Sequence, residues 1–196
     1  MLQKLKIHGA LVLLALGVGS CGASAPTAFY DLSAPSSLAV SSPAKNVQLL
    51  VPQPKAIQAL AGSSIAVAEL GRIYSYYPKV SWTDTLPNVF QAKLIETLEN
   101  SGKFRAVSQP GQGLLIDYQL QTTIRAFELY IDGQTRAHIE IAARLVDDRD
   151  GRSVKSHLFT SDIPTKNTNV DEAVDAMTVA ADAVMREITA WVLQTL

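Results

Sequence analysis

The longest periodic pattern in the chain is its last. Val170, Ala173, Val174, Met177, Ala181, Val184, Ile188, Trp191, Val192 and Thr195 step by three and four. That spacing predicts an amphipathic helix of about seven turns. Asn169 and Glu172 hold the spacing of a capping box, with Asn in the place of Ser or Thr. A shorter stripe of Leu86, Val89, Phe90, Leu94, Ile95 and Leu98 predicts a second helix over Leu86 to Ser101. Thr85 or Asp84 is placed to cap it, Pro87 falls in the first turn where its missing N–H is harmless, and Gly102 is placed to end it in a left-handed conformation.

Between the two helices the period changes to two. Ile116, Tyr118, Leu120, Thr122 and Ile124 alternate with Asp117, Gln119, Gln121, Thr123 and Arg125, the pattern of a half-buried strand. The phase slips near Ala126-Phe127, which predicts a bulge. Asp132-Gly133 marks a hairpin turn. Ala137, Ile139, Ile141, Ala143 and Leu145 then share one face, with Arg136, His138, Glu140 and Arg144 on the other. Asp150-Gly151 turns the chain into Val154 to Thr160, completing a three-stranded meander. Upstream, Val47 to Val51 and Ile65 to Leu70 read as strands, Lys55 to Leu60 as one short helix, Arg72 to Tyr77 as an extended edge, and Phe104 to Val107 as a short strand. This order fits one α/β (α+β) domain whose mixed, largely antiparallel sheet carries two main helices. The pattern does not fix the strand order.

The N-terminus follows another logic. Lys4 and Lys6 precede an apolar run from Gly9 to Gly19, which is short of the roughly 20 residues a transmembrane helix needs. Val18-Gly19-Ser20-Cys21 follows and holds the only cysteine, which therefore has no partner for an internal disulfide. An aliphatic residue at −3 and small residues at −2 and −1 resemble a bacterial lipobox. In that reading the leader, residues 1–20, is removed and Cys21 is acylated, anchoring the chain stably to a membrane. An ordinary secretory leader with a chance cysteine, or a buried structural cysteine, are the alternatives. Residues 21–45 are rich in Ser, Ala and Pro and read as a tether, with strand character only at Ala28 to Leu32. Residues 46–196 make the folded domain. Gly22 after the cysteine, by analogy with enterobacterial lipoproteins, favours the outer membrane.

Charge and chemistry narrow the function. The chain carries 17 Lys+Arg against 18 Asp+Glu; losing Lys4 and Lys6 with the leader makes the balance more acidic, which argues against nucleic acid as a partner. Gly62-Ser63-Ser64-Ile65 lacks the second glycine of a nucleophile elbow. His138 and His157 have no acidic or cysteine ligands clustered near them in sequence. Asp147-Asp148-Arg149-Asp150-Gly151 lacks the register of a calcium loop. No glycine-rich phosphate loop is present. The reading is therefore of a non-enzyme with no catalytic residue, metal or cofactor. The unusual stretch is Arg72-Ile73-Tyr74-Ser75-Tyr76-Tyr77-Pro78, followed by Trp82. Aromatics with polar tips favour interfaces, so Arg72, Tyr74, Tyr76, Tyr77 and Trp82 are candidate partner contacts. Packing over the sheet edge to close the core is the other reading, and the partner surface would then be the outer face around His138, Glu140 and Arg144.

Arg72-Ile73-Tyr74, Trp82, the Leu86-Pro87 helix start, its end at Leu98-Glu99-Asn100-Ser101-Gly102-Lys103-Phe104, the Leu145-Val146-Asp147 to Gly151-Arg152 hairpin and the terminal helix with Trp191 together resemble the ABC-type transport auxiliary lipoprotein family, which includes PqiC-like intermembrane transport lipoproteins. The resemblance implies a single three-layer domain like the anticodon-binding or TolB N-terminal fold. It also implies work in the periplasm beside an MCE-domain protein with its permease and ATPase. The aromatic candidates would contact that periplasmic protein or a neighbouring subunit of a homo-oligomer. The leading reading is a docking or tethering component of a lipid transport system. A lipid-binding or assembly chaperone of the outer membrane stands second and an envelope hydrolase third. A large apolar pocket would favour the second; a dry core with exposed aromatics favours the first.

Overall fold

The structure, a computed structural model, describes residues 26–36, 38, 42–71, 73–113 and 115–196. Residues 1–20, which the sequence reads as a leader, together with Cys21 and Arg72, lie outside the described residues. In chain order the elements are β1 (Ala28–Tyr30), β2 (Lys45–Leu50), β3 (Lys55–Ala56), a 3-10 turn (Gln58–Leu60), β4 (Ala66–Glu69), β5 (Ile73–Tyr76), β6 (Val80–Trp82), α1 (Leu86–Asn100), β7 (Phe104–Ser108), β8 (Tyr118–Tyr130), β9 (Arg136–Asp147), β10 (Ser153–Pro164) and α2 (Val170–Thr195).

The sheet is organised on β8. One edge of β8 pairs antiparallel with β9, and β9 with β10. The other edge pairs in parallel with β2, β3 and β4 in succession: Leu49 lies opposite Tyr118, Lys55 opposite Thr123, and Ala66 opposite Glu128. β7 adds outside β2 and β5 outside β4, giving eight strands in one mixed sheet. Pro52 and Pro54 explain the first interruption, since each lacks the N–H a ladder needs. They also correct the expected helix over Lys55 to Leu60. Lys55 and Ala56 pair with β8, Ile57 stays extended (φ −67°, ψ 157°), and only Gln58–Leu60 turns, burying Leu60.

The bulge falls between Ile124 and Ala126, where the alternation slips. Before it Leu120 and Ile124 face inward; after it Phe127 and Leu129 do. Both helices cover this inner face. The Thr97 hydroxyl of α1 donates to the Met185 sulfur of α2 at 3.6 Å, so the two helices touch. The stripe of α2 is buried as its spacing requires. Asn169 Oδ1 accepts the Glu172 N–H at 2.9 Å, half of a capping box. The other half is replaced: Glu172 Oε1 accepts from Asn167 Nδ2 at 2.8 Å, and Asn167 Oδ1 accepts the Asn169 N–H at 2.9 Å. At α1 the Asp84 carboxylate accepts from the Thr85 N–H and from Asn88, while the Thr85 side chain makes no capping bond. Gly102 ends the helix at φ 61°, where a side chain would be strained.

Part of the expected tether belongs to the domain. β1 pairs in parallel with β6, a strand too short and too irregular in pattern to be foreseen. The Thr27 N–H donates to Lys79 O at 2.8 Å, Leu32 is buried, and Asn100 Nδ2 donates to Pro35 O at 2.9 Å. Among the described residues, packing against the domain is already present at Thr27.

Trp191 anchors the end of α2, edge-on to Phe159 at 5.8 Å and stacked on His157 at 6.4 Å. Trp191→Ala is expected to destabilise the domain by about 3–5 kcal/mol, read as a fall in the denaturant midpoint. An unchanged midpoint would mean that this stripe does not hold α2 to the sheet.

Candidate functional site

The face of the sheet away from the helices is open, and its side chains follow from alternation and register. β8 contributes Gln121 and Thr123, β9 Ala142 and Arg144, β10 Ser156 and Leu158, and β3 Lys55. Pairing aligns them in two rows across the strands, Lys55–Thr123–Ala142–Leu158 and Gln121–Arg144–Ser156. Small Ala142 lies among longer neighbours, and the result is a cleft of about 630 Å3. At one end Arg125, the residue displaced by the bulge, pairs with Glu140 at 3.5 Å. At the other, Gln119 Nε2 donates to Asp148 Oδ1 at 2.5 Å.

Beyond the bulge the same face carries an ionisable cluster. Glu128 lies opposite His138, and His138 opposite Asp162. Asp162 Oδ1 accepts from Arg136 Nε at 2.7 Å and lies 2.9 Å from His138 Nδ1. Arg136 also sits over the Tyr130 ring at 4.2 Å. Burial pushes the Asp162 carboxyl up, but the bonds from Arg136 and His138 outweigh it and hold it below the usual carboxylate range. Glu128 is only 4% exposed, and its Oε2 accepts the Phe127 N–H at 2.7 Å. Burial raises its pKa, more than that bond and the nearby His138 lower it. His138 on Asp162 resembles two members of a hydrolase triad, but no serine, threonine or cysteine bonds to His138 among the described residues. Among the same residues no group of three metal-ligating side chains assembles.

The aromatic stretch is split among three environments. Tyr74 and Tyr76 extend the outer face, opposite Ala68 and Ala66. Tyr74 is half-buried, and burial first, then the charge of Glu128, raises its pKa. Tyr76 is 44% exposed and its hydroxyl donates to Ala59 O at 3.1 Å. Tyr77 turns toward the start of α2, donating to Thr168 O at 2.8 Å, and burial pushes its pKa up to about 12. Trp82 is 1% exposed, edge-on to Phe127 at 5.8 Å. For Trp82 the contact reading gives way to core closure: β1 holds β6 in place, the Trp82 N–H donates to Ser63 O at 2.8 Å, and the ring is directed inward. Exposed Ile57, Leu70 and Ile73 lie on and around this edge instead. No local pattern marked them, because nothing in a four-residue alternation says that a strand has only one neighbour. Lys55 and Arg125 were missed for a related reason: the cleft is made by register between distant strands.

A small α/β domain with a closed helix face and an open sheet face, in which no catalytic set assembles among the described residues, is the class this geometry defines. Residues 30–189 match the family model of the ABC-type transport auxiliary lipoprotein component, and the chain belongs to that family. It is 30% identical over 186 residues to an uncharacterized protein of Bradyrhizobium diazoefficiens, covering 95% of this chain and 50% of the other. The chain thus spans about half the length of that curated relative. The crystal structure of a Xanthomonas campestris protein is similar, with a TM-score of 0.79 and 26% identity, over 85% of this chain and 95% of that one. PelC of Paraburkholderia phytofirmans, crystallised as a dodecamer, shares the fold at a TM-score of 0.50 and 12% identity, over 80% of this chain and 96% of its own. Among the described residues no helix is long and apolar enough to cross a membrane.

Glu128 gives a pH test. Its raised pKa means that the folded state favours the neutral acid, so the destabilisation is absent below the unfolded pKa and grows as pH rises through the folded one. Glu128→Gln keeps an oxygen for the Phe127 N–H. Its Tm is expected to exceed that of the unaltered chain at about pH 8 and to match it near about pH 4. A Tm gap that does not depend on pH would contradict the assignment.

Proposed function

We propose that this protein is a non-catalytic docking component of an MCE-type ABC lipid transport system, lipid-anchored through Cys21 and facing the periplasm from the outer membrane. The family and the lipobox support an accessory role in the envelope. The observation that carries the docking role is the β5 edge. Among the described residues β5 pairs only with β4, leaving one row of its backbone groups open. It carries Ile73, 49% exposed, and Tyr76, with Leu70 at its hairpin and Ile57 beside the turn that Tyr76 bonds. A free strand edge offers main-chain hydrogen bonds, and exposed side chains on it set the choice of partner. The partner in this reading is the MCE-domain protein, and Arg72, beside Ile73 in the sequence, is proposed to contribute charge. The cleft is open and carries Lys55, Arg125 and Arg144 in its lining, unlike the enclosed pocket that holds acyl chains, which supports docking over a lipid-carrying chaperone. Self-association through the same edge, forming a homo-oligomer, is the competing use of this surface.

The test is capture of the MCE protein by the full chain, with the melting temperature measured beside it. Ile73→Asp with Leu70→Asn is expected to abolish capture while Tm holds, because both side chains are exposed and Asn tolerates the left-handed backbone at Leu70. Trp82→Ala is expected to lower Tm, as a core substitution. If the double variant captures its partner normally, the docking site is not at β5. Light scattering on the same variant reads the competing use: a smaller assembly with capture intact means that the edge joins copies of the chain. The anchor is tested separately. Cys21→Ala is expected to lose labelling by a palmitate analogue and to accumulate unprocessed precursor, and retained label would remove the lipid-anchor reading.

A further inference from the structure

We infer that the cleft on the outer face binds a small phosphorylated polyol. This goes beyond the docking reading and does not depend on it. The charge of the lining comes first. Lys55, Arg125 and Arg144 line the cleft, and no Asp or Glu does, although acids slightly outnumber bases in the chain. Arg125 is partly neutralised by Glu140 at 3.5 Å. Arg144 and Lys55 make no ion pair and no side-chain hydrogen bond among the described residues.

Their placement comes second. Lys55 stands one strand from Thr123 and two from the Ala142 floor, and Arg144 is two residues along β9 on the same face. An anion resting over Ala142 is thus met from two sides. The arginine presents a planar fork that matches phosphate, and the lysine a point charge. Neutral groups come third. Gln121, Thr123 and Ser156 supply donors and acceptors that suit hydroxyl groups. At about 630 Å3 the cleft is within the range of small-ligand sites and far larger than a bare phosphate. An acidic peptide is the weaker fit, since the backbone of a paired sheet face has no hydrogen bonds left to give an added chain.

Such a ligand has two sources, the headgroup of an anionic glycerophospholipid or a free glycerol phosphate. The experiment titrates the detergent-solubilised full chain with glycerol 3-phosphate, dihexanoyl-phosphatidylglycerol and dihexanoyl-phosphatidylcholine. Binding of glycerol 3-phosphate points to the soluble source, and binding of the phosphatidylglycerol alone points to the headgroup. Either supports the site if phosphatidylcholine binds more weakly and Arg144→Gln reduces affinity about tenfold or more. Lys55→Gln is expected to reduce it too, and Arg144→Lys to restore part of it. Arg144 and Lys55 are exposed, so Tm is expected to hold in each variant. Binding of neither phosphopolyol, or equal binding by Arg144→Gln and the unaltered chain, would overturn the inference.

Discussion

One register shift in β8 holds the two halves of this domain together. A strand alternates faces with a period of two, so a slip of one residue sends every later side chain to the opposite side. The irregularity between Ile124 and Ala126 makes that slip once. It lets Leu120 and Ile124 face the helices before it, and Phe127 and Leu129 after it, where Trp82 and Phe90 close around Phe127. The same shift displaces Arg125 outward to Glu140 at the end of the cleft, and it turns Glu128 toward His138. Core closure and the character of the outer face therefore depend on one irregularity.

The two faces of the sheet are unlike in physical terms. The inner face is sealed by α1 and α2, whose contact runs through Thr97 and Met185. The outer face is divided by charge. Below the bulge, cations surround a hollow with no carboxylate. Above it, Asp162 is held between Arg136 and His138, and burial pushes the Glu128 carboxyl above its usual range. The upper cluster satisfies its own charges, whereas the lower one leaves Arg144 and Lys55 open to solvent. A ligand is more readily met by charges that folding has not already paired.

Local periodicity made the long elements legible. The spacing of Val170 to Thr195 specified α2, and the alternation of Leu120, Thr122 and Ile124 specified β8 and its bulge. Short non-local pairs were not legible. β3 is two residues long and β6 three, and each is a strand only because a distant segment lies beside it. Trp82 was ambiguous for the same reason, because its burial depends on β1 crossing to meet β6. The outer-face positions of His138, Glu140 and Arg144 followed from alternation. The cleft beside Arg144 did not, because it requires the register of four strands at once.

The proposed docking role places the partner at the β5 edge, not on the helices. Hydrogen–deuterium exchange of the full chain, with and without the MCE-domain protein, tests it directly. The account predicts added protection over Ile73–Tyr76 and little change over Leu86–Asn100 and Val170–Thr195. Protection confined to those two helices, with Ile73–Tyr76 unchanged, would contradict it.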